Sequence, residues 1–369
     1  MTLREGFTTG SCAAAAARAA AEMLLCGREA DAVTIVTPAG KNFIAEVCDV
    51  RMEEGFVSCA VQKDSGDDPD ITNGVFIYAE VRRIGRPEIL ITGGEGVGRV
   101  TKPGLDQPVG EAAINSVPRR MIRQNLTELL EKYAVSGGFS VCIRIPEGRR
   151  LAEQTFNPRL GIVGGISVLG TTGIVKPMSE EALVETIRTE IRVKAAEGCE
   201  VLCAAPGNYG MHFLQSEYGF PEGQAVTASN YIYDTVCMAR EAGFRKFLLV
   251  GHIGKLVKAA GGVKNTHSRY GDRRMEILAA LSRPYLAGED WKRCEKALLD
   301  SVVTDDGIRI LDEWGIREQV MRDMADQIRI NLNDWADARM DCQTIVFSNV
   351  YGILAGTELA EEYLMKAKG

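Results

Sequence analysis

Beyond Asn157-Pro158 the chain changes rhythm, and that change narrows its architecture more than any other feature. Apolar runs at 160–169, 201–205 and 247–250 alternate with helical stretches around 180–197 and 230–241. Strands separated by helices pair in parallel through crossovers, so this part is expected to form a Rossmann-like parallel sheet. Before the change, β-rich runs at 33–37, 43–50, 56–62, 75–83 and 88–92 follow one another with turn signals between them. They predict a sheet, followed by a helix over 118–133 with Ser116 as its N-cap and another strand at 139–145. The basic turn at 147–150 marks a boundary. The expectation is an α/β protein of two domains: an α+β domain over 1–150 and a strand-helix domain over 151–369. After Met275 the pattern is helical up to a last strand at 344–348 and a closing helix near 358–366.

Composition removes several functional classes. A formal charge of −7 argues against broad nucleic-acid binding while leaving room for local basic pockets. No apolar run reaches the roughly 20 residues that span a bilayer, and no membrane partner is expected. A functional-looking turn at residue 6 leaves no room for a cleaved export signal, so the expected location is the cytoplasm. The ten cysteines show no CxxC pair and no zinc spacing, and read as reduced, mostly buried thiols. Cys199 and Cys203 are expected to share one face of a strand. The helical stretch 289–341 carries Leu298, Leu311, Trp314, Met321, Met324 and Ile328, a face for the core or for a homo-oligomer partner.

Parallel sheets bind ligands in the loops that leave the carboxyl ends of their strands. Three such loops qualify here. The segment from Gly164-Gly165 to Gly170-Thr171-Thr172-Gly173 follows the 160–169 run, Pro206-Gly207-Asn208-Tyr209-Gly210 follows the 201–205 run, and Gly251-His252-Ile253-Gly254-Lys255 follows the 247–250 run. The last combines two glycines with a titratable donor and a cation at a helix start, with Lys258 further along the helix. It lacks the spacing of a phosphate-binding P-loop.

The first part holds its own unusual turns. Gly6-Phe7-Thr8-Thr9-Gly10-Ser11-Cys12 opens an alanine-rich helix, and the hydroxyls of Thr8, Thr9 and Ser11 beside unpaired N–H groups read as an anion cradle or a plain N-cap. Gly93-Gly94-Glu95-Gly96-Val97-Gly98 is followed by Pro103 and Gly104 where a nucleotide-binding helix would run, so its glycines read as backbone lying against a flat or bulky ligand, with Arg99 and Lys102 nearby for acidic groups. In Lys63-Asp64-Ser65-Gly66-Asp67-Asp68-Pro69-Asp70 the aspartates miss calcium-loop spacing, and Asx-type turns account for most such runs. A carboxylate here can also face a cationic cofactor or collect a proton.

Taken in order, Gly6 to Ala14, Lys63 to Asp70, the Glu95-Gly96-Val97-Gly98-Arg99-Val100-Thr101-Lys102-Pro103-Gly104 core, Gly173-Ile174-Val175-Lys176-Pro177-Met178-Ser179 and Gly251 to Lys255 resemble the cobalt-precorrin-5B (C-1)-methyltransferase family of anaerobic cobalamin biosynthesis. The likeness runs through nearly the whole chain, and the one departure is Ser11, where threonine is commoner. It implies methyl transfer from S-adenosyl-L-methionine to ring carbon 1 of a cobalt-bearing tetrapyrrole, giving cobalt-precorrin-6A. Cobalt would then arrive within the substrate, with no protein metal cage.

Under that resemblance the substrate's carboxylates call for scattered donors: Thr8, Thr9, Ser11, Arg99, Lys102, Arg119, Arg120, Lys176, Lys255 and Lys258. The cosubstrate is assigned to Gly164, Gly165, Gly170, Thr171, Thr172, Gly207, Asn208 and Gly251, with Asp64, Asp67 or Asp68 facing its sulfonium. His252 and Asp64 are the candidates for proton movement, and alignment is expected to dominate catalysis. Two rivals remain: a non-catalytic tetrapyrrole carrier, which needs no cosubstrate pocket, and an ATP-dependent small-molecule phosphotransferase, which magnesium-dependent ATP turnover would reveal.

Overall fold

The computed structural model describes residues 3–221 and 223–368. The chain divides into two compact units at Glu180/Glu181.

The first unit runs β1 (Gly6–Phe7), α1 (Thr9–Cys26), β2 (Ala32–Val36), β3 (Asn42–Glu46), β4 (Cys48–Glu53), β5 (Phe56–Gln62), β6 (Phe76–Ile84), β7 (Ile89–Gly93), β8 (Arg99–Val100), α2 (Ser116–Lys132), β9 (Gly138–Arg144), α3 (Gly148–Ala152), β10 (Ile162–Val163) and β11 (Ile174–Val175). Its main sheet has the order β4-β5-β6-β9-β7, antiparallel except for β7 beside β9. Helix α1 lies across β5 and β6 and beside α2. Its buried alanines at 13–17 and 19–21 let it settle close enough for Cys59 Sγ to reach the Ala16 carbonyl at 3.3 Å. Thr8 caps α1 by accepting from the Ser11 N–H, and Gly27 closes it in the left-handed region.

Two expectations shift here. The run 43–50 breaks into β3 and β4, because only the former follows its hairpin with β2. Helix α2 begins at Ser116 with Asn115 as its cap residue, and the Asp106 carboxylate takes the Ser116 N–H from ten positions upstream. The boundary also differs from residue 150. Strand β10 pairs with β8 and β11 pairs with β1, which ties 151–180 to the first unit. Only Ile162–Val163 of the expected 160–169 strand forms one; the rest follows single bridges, Val97 to Ile166 and Ile114 to Val168.

The second unit comprises α4 (Glu180–Ala196), β12 (Leu202–Ala205), α5 (Asn208–Tyr218), β13 (Val226–Thr227), α6 (Ile232–Glu241), β14 (Lys246–His252), α7 (Ile253–Ala260), α8 (Arg274–Ser282), α9 (Gly288–Leu299), α10 (Thr304–Glu313), α11 (Arg317–Trp335), β15 (Asp341–Ser348), β16 (Gly352–Gly356) and α12 (Ala360–Lys368). Its sheet order is β13-β12-β14-β15-β16, parallel except for β16. That is the 2-1-3-4-5 order of doubly wound sheets of the flavodoxin type. Helices α5 and α12 cover one face through Phe213, Leu214, Tyr363 and Leu364, while α4 and α6 to α11 cover the other. Leu298, Leu311, Met321, Met324 and Ile328 are buried in that second layer, with Trp314 packed against it. The 289–341 face is therefore core and not a partner surface. Cys203 and Cys199 also part company, since the strand begins only at Leu202 and the two pack into opposite layers.

All ten cysteines are free thiols, and burial pushes Cys12, Cys59 and Cys342 up to about 12. No helix among the described residues is long and apolar enough to cross a membrane.

The glycines of the first unit are where main chain meets main chain. A Cβ on Gly96 (φ +70°) would overlap the Ile145 carbonyl, and a Cβ on Gly148 or Gly165 would overlap the Gly96 carbonyl. Gly96→Ala should therefore cost about 3 kcal/mol or more in urea unfolding, whereas Gly85→Ala, where nothing lies within 4 Å, should be near neutral.

Candidate functional site

In the first unit most of the residues expected to bind a ligand are engaged with the chain itself. The Thr8 hydroxyl caps α1, Thr9 Oγ1 donates to the Leu169 carbonyl at 3.2 Å, and Ser11 Oγ donates to the Gly173 carbonyl at 2.8 Å. All three are buried, and the Gly10 N–H is taken by Leu169 O. The anion cradle is thus a docking surface for the 169–173 loop. Gly170 and Gly173 supply the close approach, since a Cβ on either would strike Thr8 or Ser11. Thr171 and Thr172 are exposed, as is Gly164, which has open space around it, while Gly165 packs on Gly96.

The acidic loop is likewise structural. Lys63 is buried and donates to Asp70 at 2.7 Å and to Ser65, a charge-assisted centre around which the loop turns. Asp64 pairs with Arg4, which holds its carboxyl below the usual range, and accepts from Gly66 N–H. Asp67 takes the Arg4 N–H and Asp68 the Met178 N–H at 2.9 Å. Neither a sulfonium-facing nor a proton-collecting role suits Asp64 so engaged. Arg119 is buried and spends its guanidinium on the carbonyls of Ile114, Ile91 and Ala112. Of the candidate cations in this unit, Arg99, which donates to Gly110 O, Arg120 and Lys176 are exposed, while Lys102 is half-buried with its stem against Gly161. The glycines at 93–98 lie against Ala112, Arg144, Ile145 and Ile162, and not against open space.

The second unit has the opposite character. Strand β12 leads through α5 to β13 on one side, and β14 leads to β15 on the other, so the loops beyond Ala205 and His252 diverge. Such a switch point opens a crevice at the carboxyl edge of the sheet. Gly207 caps α5 at φ 90°, ψ −179°, a conformation essentially restricted to glycine. A Cβ there would stand 3.3 Å from Lys255 Nζ. Lys255 donates to the carbonyl of Ser229, itself left-handed at φ 51°, and has no carboxylate partner among the described residues. Burial, then nearby Lys258, pushes its ammonium below the ordinary value. Asn208 and Tyr209 are exposed at the rim. Gly251 lies inside β14, buried against Pro206 and Leu256, so it shapes the crevice without lining it. Lys258 is buried and braces the carbonyls of Thr266 and Gly271, which removes it from the candidates.

His252 is fixed by the fold. It caps α7, its Nδ1 accepting the Gly254 N–H at 3.1 Å, and its ring meets Phe347 and Tyr209 at centroid distances of 5.6 and 5.9 Å. An accepting Nδ1 places the proton of the neutral ring on Nε2. Burial pushes the imidazole below its ordinary 6.5, opposed by Asp305, which is held by Ser348 at 2.7 Å. At neutral pH His252 is thus a hydrogen-bond donor through Nε2, not a free base. Asp305, Ser229 and Phe347 escape sequence reading because they reach this edge from distant segments.

Since its folded value is lowered, the unfolded chain binds the His252 proton first, and wild-type stability falls as pH drops through and below 6.5. His252→Asn, which keeps a capping acceptor, should match wild type at pH 7.5 and lose less on acidification. His252→Ala should lose about 1 kcal/mol at pH 7.5 by chemical denaturation.

A doubly wound α/β unit whose switch point carries a lysine without a carboxylate partner among the described residues has the features with which such folds bind small ligands. A model of the CbiD family matches residues 1–177, and one for the CbiD C-terminal domain matches 265–358. Proteins named cobalt-precorrin-5B C(1)-methyltransferase are 46% identical in Ruminiclostridium cellulolyticum (94% of this chain, 90% of that protein) and 40% identical in Methanocaldococcus jannaschii (95% of each). That of Alkaliphilus metalliredigens is 39% identical over 100% of this chain and 96% of its own. A crystal structure of a cobalamin biosynthesis protein (cbiD) from Archaeoglobus fulgidus is 29% identical, covering 76% of this chain and 84% of that one, with a TM-score of 0.39. The chain belongs to the CbiD family.

Proposed function

We infer that this protein is the C-methyltransferase that converts cobalt-precorrin-5B to cobalt-precorrin-6A by methylating ring carbon 1, within cobalamin biosynthesis. Family membership along nearly the full chain carries this reading. A methyltransferase requires a methyl donor, and S-adenosyl-L-methionine is the donor assigned here; bound, it supplies an electrophilic methyl group. The switch-point crevice fits its charged end. Lys255 is a half-buried cation without a counter-ion among the described residues, close to the starts of α5 and α7, and a carboxylate beside Nζ would restore the favourable charged state. Gly207 keeps the approach to Nζ clear of a side chain, and exposed Tyr209 offers an aromatic face at the rim.

His252 presents a neutral Nε2–H to the same edge, suited to orienting a polar group and not to abstracting a proton. The chain therefore contributes alignment and exclusion of water more than acid–base chemistry. Arg99, Lys102, Arg120 and Lys176 are the cations assigned to the substrate's carboxylates. Cobalt is part of the substrate.

Transfer of labelled methyl from S-adenosylmethionine to cobalt-precorrin-5B tests the activity; absence of label at ring carbon 1 would overturn it. Lys255→Met should raise KM for S-adenosylmethionine about tenfold or more, the loss of one charged hydrogen bond, with a smaller change in kcat. His252→Asn should keep most of the activity.

A further inference from the structure

On the outer face of the first unit's sheet, opposite the core, stands a guanidinium without a counter-ion among the described residues. Along β9, Phe139, Val141 and Ile143 enter the core, which puts Ser140, Cys142 and Arg144 on the other face. The register sets Arg144 beside Tyr78 and, one strand further, Ala60. Its stem lies on Gly94, where a Cβ would stand 2.8 Å from its Cγ. Its guanidinium sits over the Tyr78 ring at 5.5 Å, and Nη2 donates to Ser58 Oγ at 3.2 Å. Nε is buried and has no acceptor among the described residues. The acids on neighbouring strands have other partners: Glu80 pairs with Arg82 at 2.9 Å, and Asp49 accepts from the Tyr78 hydroxyl, with Arg51 4.0 Å away. A half-buried cation without a counter-ion costs free energy that an anion beside the guanidinium would recover.

We propose that Arg144 binds a carboxylate of the tetrapyrrole, with the macrocycle lying along the outer face of this sheet. The assignment rests on the methyltransferase reading for its ligand. A flat, polycarboxylate ring suits the place: Tyr78, Phe56 and Leu90 stand half-exposed or exposed on this face, where the small Ser58 and Ala60 are buried. Here Gly94 has a job that only a glycine fills, giving the arginine stem room to lie flat.

The test is binding of cobalt-precorrin-5B, followed by absorbance without methyl donor, to wild type, Arg144→Met and Arg144→Lys, each with its melting temperature. Arg144→Met should bind at least tenfold more weakly, with Arg144→Lys in between. Methionine keeps the stem contacts and removes the unpaired donor, so its melting temperature should equal or exceed that of wild type, and KM for S-adenosylmethionine should not change. Unchanged tetrapyrrole affinity in Arg144→Met overturns the proposal, as does a variant that melts early or fails to fold, the mark of a structural arginine. Failure of wild type itself to bind the tetrapyrrole would instead remove the methyltransferase reading, and this assignment with it.

Discussion

In the first unit the peptide of Gly96 is touched by the backbone at Ile145, Gly148 and Gly165, and each contact exists only while the position concerned lacks a Cβ. Hydrogen bonds knit the same place: Ile145 N–H to Glu95 O, Ile166 N–H to Gly96 O and Gly98 N–H to Ile166 O. Segments distant in sequence thereby become one layer, aligned by only the short β8–β10 pair and the single Val97–Ile166 bridge. The same device docks 169–173 on the start of α1 and locks Gly6 against the acidic loop, where a Cβ would overlap Ser65. Such packing is sensitive to a single methyl group, which explains why so many of the chain's unusual motifs concentrate here.

The second unit solves a different problem. Its sheet is buried on both faces, so polar groups with chemical freedom are confined to the carboxyl edge of the strands. There the fold places one ammonium whose nearest partner is a carbonyl, and one imidazole whose protonation state is set by a helix cap. Both are held by backbone, which gives them fixed directions before any ligand arrives.

Much of this architecture is legible in the sequence, and the reasons for the misses are specific. Strand-helix alternation announces the parallel sheet, and the loops at Gly207 and His252 emerge as candidates because glycine follows an apolar run in each. The glycines at 93–98 and 164–173 announce themselves equally loudly but mean something else: whether a missing Cβ makes room for a ligand or for another backbone depends on long-range contacts that no local pattern encodes. The hydroxyls of Thr9 and Ser11 pose the same ambiguity, resolved by carbonyls at Leu169 and Gly173, far along the chain. Arg119 and Lys258 read as free cations until their carbonyl partners are seen. Arg144 carried no signal, since an arginine ending a strand looks like a solvated edge.

Ligand chemistry of the methyl donor belongs, on this account, to the switch point of the second unit, while the glycine-rich segments of the first are architecture. Hydrogen exchange read by mass spectrometry with and without S-adenosylmethionine decides between these roles most directly. New protection is predicted at 205–210, 228–231 and 251–256, with 6–12, 93–98 and 164–173 unchanged. Protection confined to those first-unit segments, with none at the switch point, would contradict it.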